Sequence, residues 1–273
     1  MEQPPAAELV LRLRAAGCVF AEDEAALLQE AAATPADLER LVGARVRGVP
    51  LEHLVGWVDF HGLRIGVGPG VFVPRQRTTL MVDEAIRLAR PDCVLVDLCC
   101  GSGAVGAAVL AAVPDVELHA SDIDPVAVRW ARSNLPASRV HLGELFAGLP
   151  RDLRGRVDVL TCNAPYVPTD AVALMPPEAR DHEPLRTLDG GTDGLAVIRR
   201  VVAEAGDWLA PGGALLFEVG ESQAAAAGVL VELAGLTPSV VRRRELGAAV
   251  VIGTARSTGQ NDGGAGHGPD GAR

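Results

Sequence analysis

The sequence predicts an α/β protein: a doubly wound, mostly parallel sheet closed by an antiparallel hairpin, preceded by a small helical region and a β-hairpin linker. Three observations carry this reading. From residue 93 onward, short apolar runs alternate with helical patterns, the texture of strands covered on both faces and joined by crossover helices. The first of these runs feeds a glycine-containing turn, Cys99-Cys100-Gly101-Ser102-Gly103, that opens a helix. The last two runs are joined only by Glu245-Leu246-Gly247, which fits a closing hairpin.

In chain order, residues 6–47 repeat leucine and valine at three- and four-residue spacing (Leu9, Leu13; Leu27, Leu28; Leu38, Leu41, Val42), the period of amphipathic helices. Thr34-Pro35 reads as an N-cap followed by proline at the first helical position. Residues 55–60 and 63–67 are short strand-like runs around His61-Gly62, with a turn at Gly68-Pro69-Gly70, so 50–74 reads as a β-hairpin linker. Residues 78–88 read as a helix. The predicted strands that follow are 93–98, 116–121, 139–142, 157–163 and 214–219, and the helices are 103–112, 125–134, 195–209 and 222–233. Residues 238–244 and 248–254 form the hairpin. These boundaries divide the chain into a helical region over 1–49, the linker over 50–74, the sheet domain over 75–256 and a disordered tail over 257–273. The tail is rich in Gly, Asp and Ser with nothing to bury.

Composition narrows the function classes. Hydrophobic residues make up 48% of the 273 residues, but aromatic ones only 3%, so the core is mostly Ala, Val and Leu. The formal net charge of -10 argues against stable binding of nucleic acid, which needs a basic footprint to displace counterions. The 5 cysteines (Cys18, Cys93, Cys99, Cys100, Cys162) are odd in number and show no C-x-x-C spacing, as expected of small buried hydrophobes in a reducing compartment. Six histidines form no ligand spacing, so no metal is expected. No apolar run approaches the roughly 20 residues of a membrane span. The expectation is a soluble, cytoplasmic protein without a membrane partner.

The functional residues sit at predicted strand ends, where open α/β sheets bind ligands. Asp97 sits near the end of the first strand of the sheet and the turn Cys99 to Gly103 follows it, and glycine there lets the backbone approach a ligand closely. The turn is neither G-x-G-x-x-G nor a phosphate-binding loop with its lysine. About 20 residues on, the second strand ends at Asp122, a carboxylate placed for a ribose diol. Asp124, ahead of Pro125, suits the helix N-cap better and leaves Asp122 for a ligand. After the third strand, Glu144 and Leu145 offer an acceptor and an apolar wall for an adenine. At the end of the fourth strand, Asn163-Ala164-Pro165-Tyr166 combines a side-chain amide, a backbone carbonyl, a proline and an aromatic ring. Such a set suits gripping a planar NH2 group. Asn163 and the Ala164 carbonyl can each accept one N–H bond, Pro165 forces Ala164 out of helical geometry, and Tyr166 can pack on the amide plane.

From Val73-Pro74-Arg75 through 97–103, Ser121-Asp122-Ile123-Asp124-Pro125 and Asn163–Tyr166 to Glu183-Pro184-Leu185, the chain resembles the protein-(glutamine-N5) methyltransferases that modify peptide-chain release factors. The resemblance covers about residues 50–253. It implies a class I methyltransferase, Rossmann-like sheet and S-adenosyl-L-methionine as cofactor. Cys99, Cys100, Gly101, Ser102, Gly103, Asp97, Asp122, Glu144, Leu145 and Asn163 would hold the cofactor. Asn163 to Tyr166, with Arg75, would face the substrate, a release factor with its Gly-Gly-Gln loop. Three positions depart from the family's usual pattern. Ala164 replaces the first of two prolines, Cys99 replaces the first glycine of the turn, and Thr79 stands where glutamate is usual, at a contact on the acceptor side or covering the cofactor. Two other functions fit parts of the pattern: N-methylation of an exocyclic amine of a nucleic-acid base, and cofactor binding without turnover.

Overall fold

The computed structural model describes residues 5–257. The expected tail, apart from Ser257, lies outside the described residues.

Three helices come first: α1 (Ala6–Ala15), α2 (Ala21–Ala31) and α3 (Pro35–Val46). Thr34 Oγ1 caps α3 by accepting from the Asp37 N–H at 3.1 Å, as the Thr-Pro pair predicts. Leu9, Leu13, Leu28, Leu38, Leu41 and Val42 form a small core of their own. Arg45 is also buried on α3. Its guanidinium donates to both carboxylate oxygens of the buried Glu24 on α2 (2.6 and 3.2 Å) and to the Val49 carbonyl (3.3 Å).

The linker differs from the expectation at its start. Residues Leu51–Val55 form a short helix, α4, rather than leading into a strand. Leu51, Leu54 and Val55 pack against the helical core, and Gly56 at φ +87° ends the helix. The hairpin follows as β1 (Trp57–Phe60) paired antiparallel with β2 (Leu63–Gly66). Val58, Phe60 and Ile65 enter the main core.

The main sheet is built as α5 (Thr79–Leu88), β3 (Val94–Leu98), α6 (Ala104–Ala112), β4 (Glu117–Asp122), α7 (Pro125–Asn134), β5 (Val140–Leu142), β6 (Val157–Cys162), α8 (Pro177–His182), α9 (Ala196–Trp208), β7 (Leu209–Val219), α10 (Ala224–Leu233), β8 (Thr237–Arg243) and β9 (Ala248–Thr254). Its strand order is β5-β4-β3-β6-β7-β9-β8. The first five are parallel, and β7, β9 and β8 pair antiparallel. Helices α5, α6 and α7 cover one face, and α9 and α10 cover the other. The doubly wound sheet and its closing hairpin are therefore as the sequence predicts. Strand β7 starts earlier than expected, at Leu209, and its register against β6 shifts between Val157 and Val159. Gly213 makes this possible, because a Cβ there would stand 2.5 Å from the Val157 carbonyl. Helix α8 has no counterpart in the sequence reading, since six residues are too few to show a helical period.

The chain winds outward from β3 through β4 to β5, then returns to place β6 on the other side of β3. The carboxyl ends of β3 and β6 thus flank the switch point of the sheet, where a crevice opens.

Candidate active site

A cleft of about 230 Å³ lies at that switch point. All of the sequence-predicted residues with side chains or backbone at strand ends line it, except Gly103, whose role is to turn the chain.

The loop after β3 is bent sharply. Cys99, Gly101 and Gly103 have φ of +54°, +55° and +80°. Gly101 has open space around its Cα, with nothing within 4 Å of a Cβ, whereas a Cβ on Gly103 would meet Leu135 at 2.7 Å. Cys99 occupies a left-handed conformation that favors glycine, which explains physically why a glycine is usual there. Leu145 is also left-handed, at φ +48°. Both residues line the cleft, and strained backbone collects at functional sites.

Two carboxylates anchor this loop. Asp97 is buried under it and accepts from Thr161 Oγ1 (2.9 Å) and the Gly106 N–H (3.2 Å). Burial pushes its carboxyl up to about 7, against the pull of those two donors. Asp122 Oδ2 accepts from the Gly101 N–H at 2.9 Å, and Oδ1 from the Asp124 N–H at 2.8 Å. Asp124 caps α7 as expected, accepting from the Val126 N–H at 2.9 Å. Asp122 is thus not left free: each of its oxygens already holds one backbone donor. A carboxylate oxygen accepts more than one hydrogen bond, so capacity remains on the cleft side. Burial raises the carboxyl of Asp122, and the two backbone donors oppose that. Ser102 Oγ is buried without a partner among the described residues.

Glu144 and Leu145 divide the roles expected of them. The Glu144 carboxylate is exposed and paired with Arg200 at 2.6 Å, so it is already engaged. Leu145 is buried and supplies the apolar wall, while its carbonyl accepts from Ser121 Oγ at 3.0 Å.

On the other side of the crevice, Asn163 Nδ2 donates to Thr78 Oγ1 at 3.4 Å. That bond turns the amide so that its carbonyl oxygen is free of partners among the described residues. The Ala164 carbonyl likewise accepts no hydrogen bond there. The Tyr166 hydroxyl donates to Glu218 Oε1 at 2.7 Å, and Gln223 Nε2 donates to the Tyr166 carbonyl at 2.9 Å. Burial pushes the Tyr166 phenol well up, and the charge of Glu218 adds to this. Arg75 lines the cleft, but its guanidinium donates to both oxygens of the buried Glu183 (2.8 Å each). It straps the linker to the loop after α8. Thr79 lies outside the cleft, with its hydroxyl donating to the Gln76 carbonyl at 2.7 Å.

A family described as Methyltransferase small domain matches residues 69–175. A release factor glutamine methyltransferase of Streptomyces coelicolor is 41% identical over 189 residues, covering 67% of this chain and 67% of the relative. One of Mycobacterium tuberculosis is 38% identical over 216 residues, covering 76% and 70%. The chain belongs to the release factor glutamine methyltransferase family. A third relative in this family, from Mycolicibacterium smegmatis, is 41% identical over 182 residues, and there the match spans 64% of the relative's length. The chain thus spans about two thirds of the length of these relatives. The fold is shared with a methyltransferase from Pyrococcus furiosus, at a TM-score of 0.54 and 17% identity, over 71% of this chain and 90% of that one.

The glycine loop fits the cofactor that this family membership implies. The space over Gly101, the orphan Ser102 hydroxyl and the carboxylate of Asp122 are a ready set of contacts for a nucleoside. Among the residues that escape the sequence reading are Arg77, Thr78 and Arg186 in the cleft wall, the last bonded to Asp124 at 2.8 Å, and Glu218 behind that wall. Only Glu218 leaves a local signal, as a lone carboxylate in the apolar run Ala214-Leu215-Leu216-Phe217-Glu218-Val219, since such residues are seldom buried without a partner. Among the described residues no helix is long and apolar enough to cross a membrane, and no group of three or more His, Cys, Asp or Glu could hold a metal ion.

Proposed function

We propose that this protein methylates the side-chain N5 of a glutamine in a protein, namely the Gly-Gly-Gln loop of a peptide-chain release factor in the cytoplasm. Its cofactor is S-adenosyl-L-methionine, which supplies an electrophilic methyl group on a cationic sulfur. The observation that carries this reading is a pair of acceptors without partners among the described residues, the Asn163 side-chain oxygen and the Ala164 carbonyl, beside the glycine loop.

An amide nitrogen is a poor nucleophile because its lone pair is delocalized into the carbonyl. Two acceptors, each taking one N–H bond, fix the nitrogen toward the methyl donor and favor the pyramidal geometry of the transition state. Preorganized acceptors and a water-poor wall can supply this catalysis without a strong base, and the one N–H proton that the methylated nitrogen must lose passes to water after transfer. Tyr166 and Leu145 provide apolar surface on either side. Asp97 and Asp122 hold the glycine loop in its bent form, and Asp122 has spare acceptor capacity for a ribose. The N-terminal helices α1 to α3 recognize the protein that carries the glutamine. The net charge of -10 favors a protein over a nucleic acid as the partner.

Mass spectrometry of a release factor after incubation with this protein and the methyl donor tests the reading. One added methyl on the glutamine of the Gly-Gly-Gln loop is expected. Label appearing only in nuclease-sensitive material would overturn it.

Cofactor affinity should depend on pH. Burial places the Asp97 carboxyl at about 7 and raises that of Asp122. A cationic ligand favors the ionized form of each. Ionization increases as pH rises, so affinity should rise by about tenfold from pH 6 to 8 and level off above. A proton should be released on binding near pH 6.5. Calorimetry in two buffers of different ionization enthalpy measures both. Affinity that is flat over this range would contradict the assignment, and Asp97→Asn should remove most of the dependence.

A further inference from the structure

Glu218 is 1% exposed and is the only charged residue in the eleven residues of β7. A buried carboxylate is costly unless it is paired, and an apolar residue of similar size is often more stabilizing in its place. The partners of Glu218 are both parts of the site. Its Oε1 accepts from the Tyr166 hydroxyl at 2.7 Å and lies 3.0 Å from Arg77 Nε. Arg77 Nε lies off the line of a hydrogen bond, and Glu218 Oε2 has no partner among the described residues. The Arg77–Glu218 contact is therefore held by charge rather than by a directed bond. The same Arg77 guanidinium sits over the Tyr166 ring, 5.4 Å from its center. With the bond from Gln223 to its carbonyl, Tyr166 is fixed at its hydroxyl, its face and its backbone. Glu218 itself does not line the cleft, so it touches nothing that binds there.

We propose that Glu218 and Arg77 are positioning residues for methyl transfer, locking the ring of Tyr166 in the plane that faces the acceptor amide. The proposal rests on the function proposed above. A ring free to rotate about χ1 or χ2 would leave the amide unsupported on one face, and small misplacements of reacting groups are costly in rate.

Tyr166 is the single tyrosine of the chain, so protein labeled with 13Cζ-tyrosine gives one resonance that reports its hydroxyl directly. Glu218→Met should shift that resonance, and Arg77→Met should shift it less. In kinetics, Glu218→Met should lower kcat about tenfold with KM for the cofactor changed less than twofold. Tyr166→Phe should do the same, and Glu218→Met should add little in the Tyr166→Phe background. Glu218→Gln keeps an acceptor for the hydroxyl and should recover part of the loss. An unmoved resonance in Glu218→Met, or an undiminished tenfold effect in the Tyr166→Phe background, overturns the proposal. If Glu218→Met does not fold, Tyr166→Phe decides alone, because unchanged kcat there removes the role of the hydroxyl bond. If the wild type methylates no release factor, the function reading fails, while the resonance still decides whether Glu218 holds the ring.

Discussion

Asn163→Ala should lower kcat for methyl transfer by about a hundredfold to a thousandfold, the usual cost of removing one preorganized hydrogen-bonding group from a transition state. Cofactor affinity should stay within about tenfold, because the loop anchored by Asp97 and Asp122 is untouched. The size of the effect follows from what the substitution leaves. The Ala164 carbonyl still takes one N–H, but the second N–H loses its acceptor and the nitrogen can turn its lone pair away. Thr78, which holds Asn163 through its Nδ2 at 3.4 Å, is left without that partner and can take a water instead. Single-turnover measurement with saturating methyl donor separates the chemical step from binding. A kcat within tenfold of wild type would show that Asn163 does not hold the reacting amide.

Much of the sheet can be read from the sequence because burial on both faces makes a strand nearly uniformly apolar, as in Val94–Leu98, where every residue is buried. The caps at Thr34 and Asp124 are equally local, each bonding within three residues. What escapes the sequence is decided by partners far along the chain. Residues 55 and 56 end a helix instead of opening a strand because Leu51, Leu54 and Val55 have a core to enter, which a strand-like pattern cannot reveal. Glu144 looks like a free acceptor until α9 brings Arg200 to it, 56 residues away. Arg75 looks like a free cation until Glu183 meets it, 108 residues away. Tyr166 and Glu218 are 52 residues apart and meet because β6 and β7 are neighbors in the sheet. Residue type and spacing thus report which positions are buried and where strands end. They do not report which charges cancel, and in this cleft that cancellation determines which groups remain free for a ligand.

The largest stability effect should come from Arg45→Ala, well away from the chemistry. Arg45 is bonded to the buried Glu24 and reaches Glu178 on α8 at 2.6 Å. Removing the guanidinium strands the Glu24 carboxylate in an apolar core without a counterion, a loss of about 3–5 kcal/mol. The cost should be concentrated in α1 to α4, which share their own core, and hydrogen exchange should rise there first. Pairing Arg45→Met with Glu24→Met removes both charges, leaves no buried polar group unpartnered and should recover most of the loss, since a buried ion pair replaced as a unit by apolar side chains of similar volume is close to neutral. Thermal unfolding of the two variants tests this. A loss below about 1 kcal/mol for Arg45→Ala would mean that Glu24 finds water instead, contrary to its burial. The functional consequence follows from the second contact. Glu178 begins the helix whose far end leads into Glu183, and Glu183 holds Arg75 at the cleft wall. Arg45 therefore fixes the helical region against the same segment that shapes the cleft. The double variant, though stable, loses the bond to Glu178, so its KM for a protein substrate should rise while its affinity for the cofactor stays unchanged.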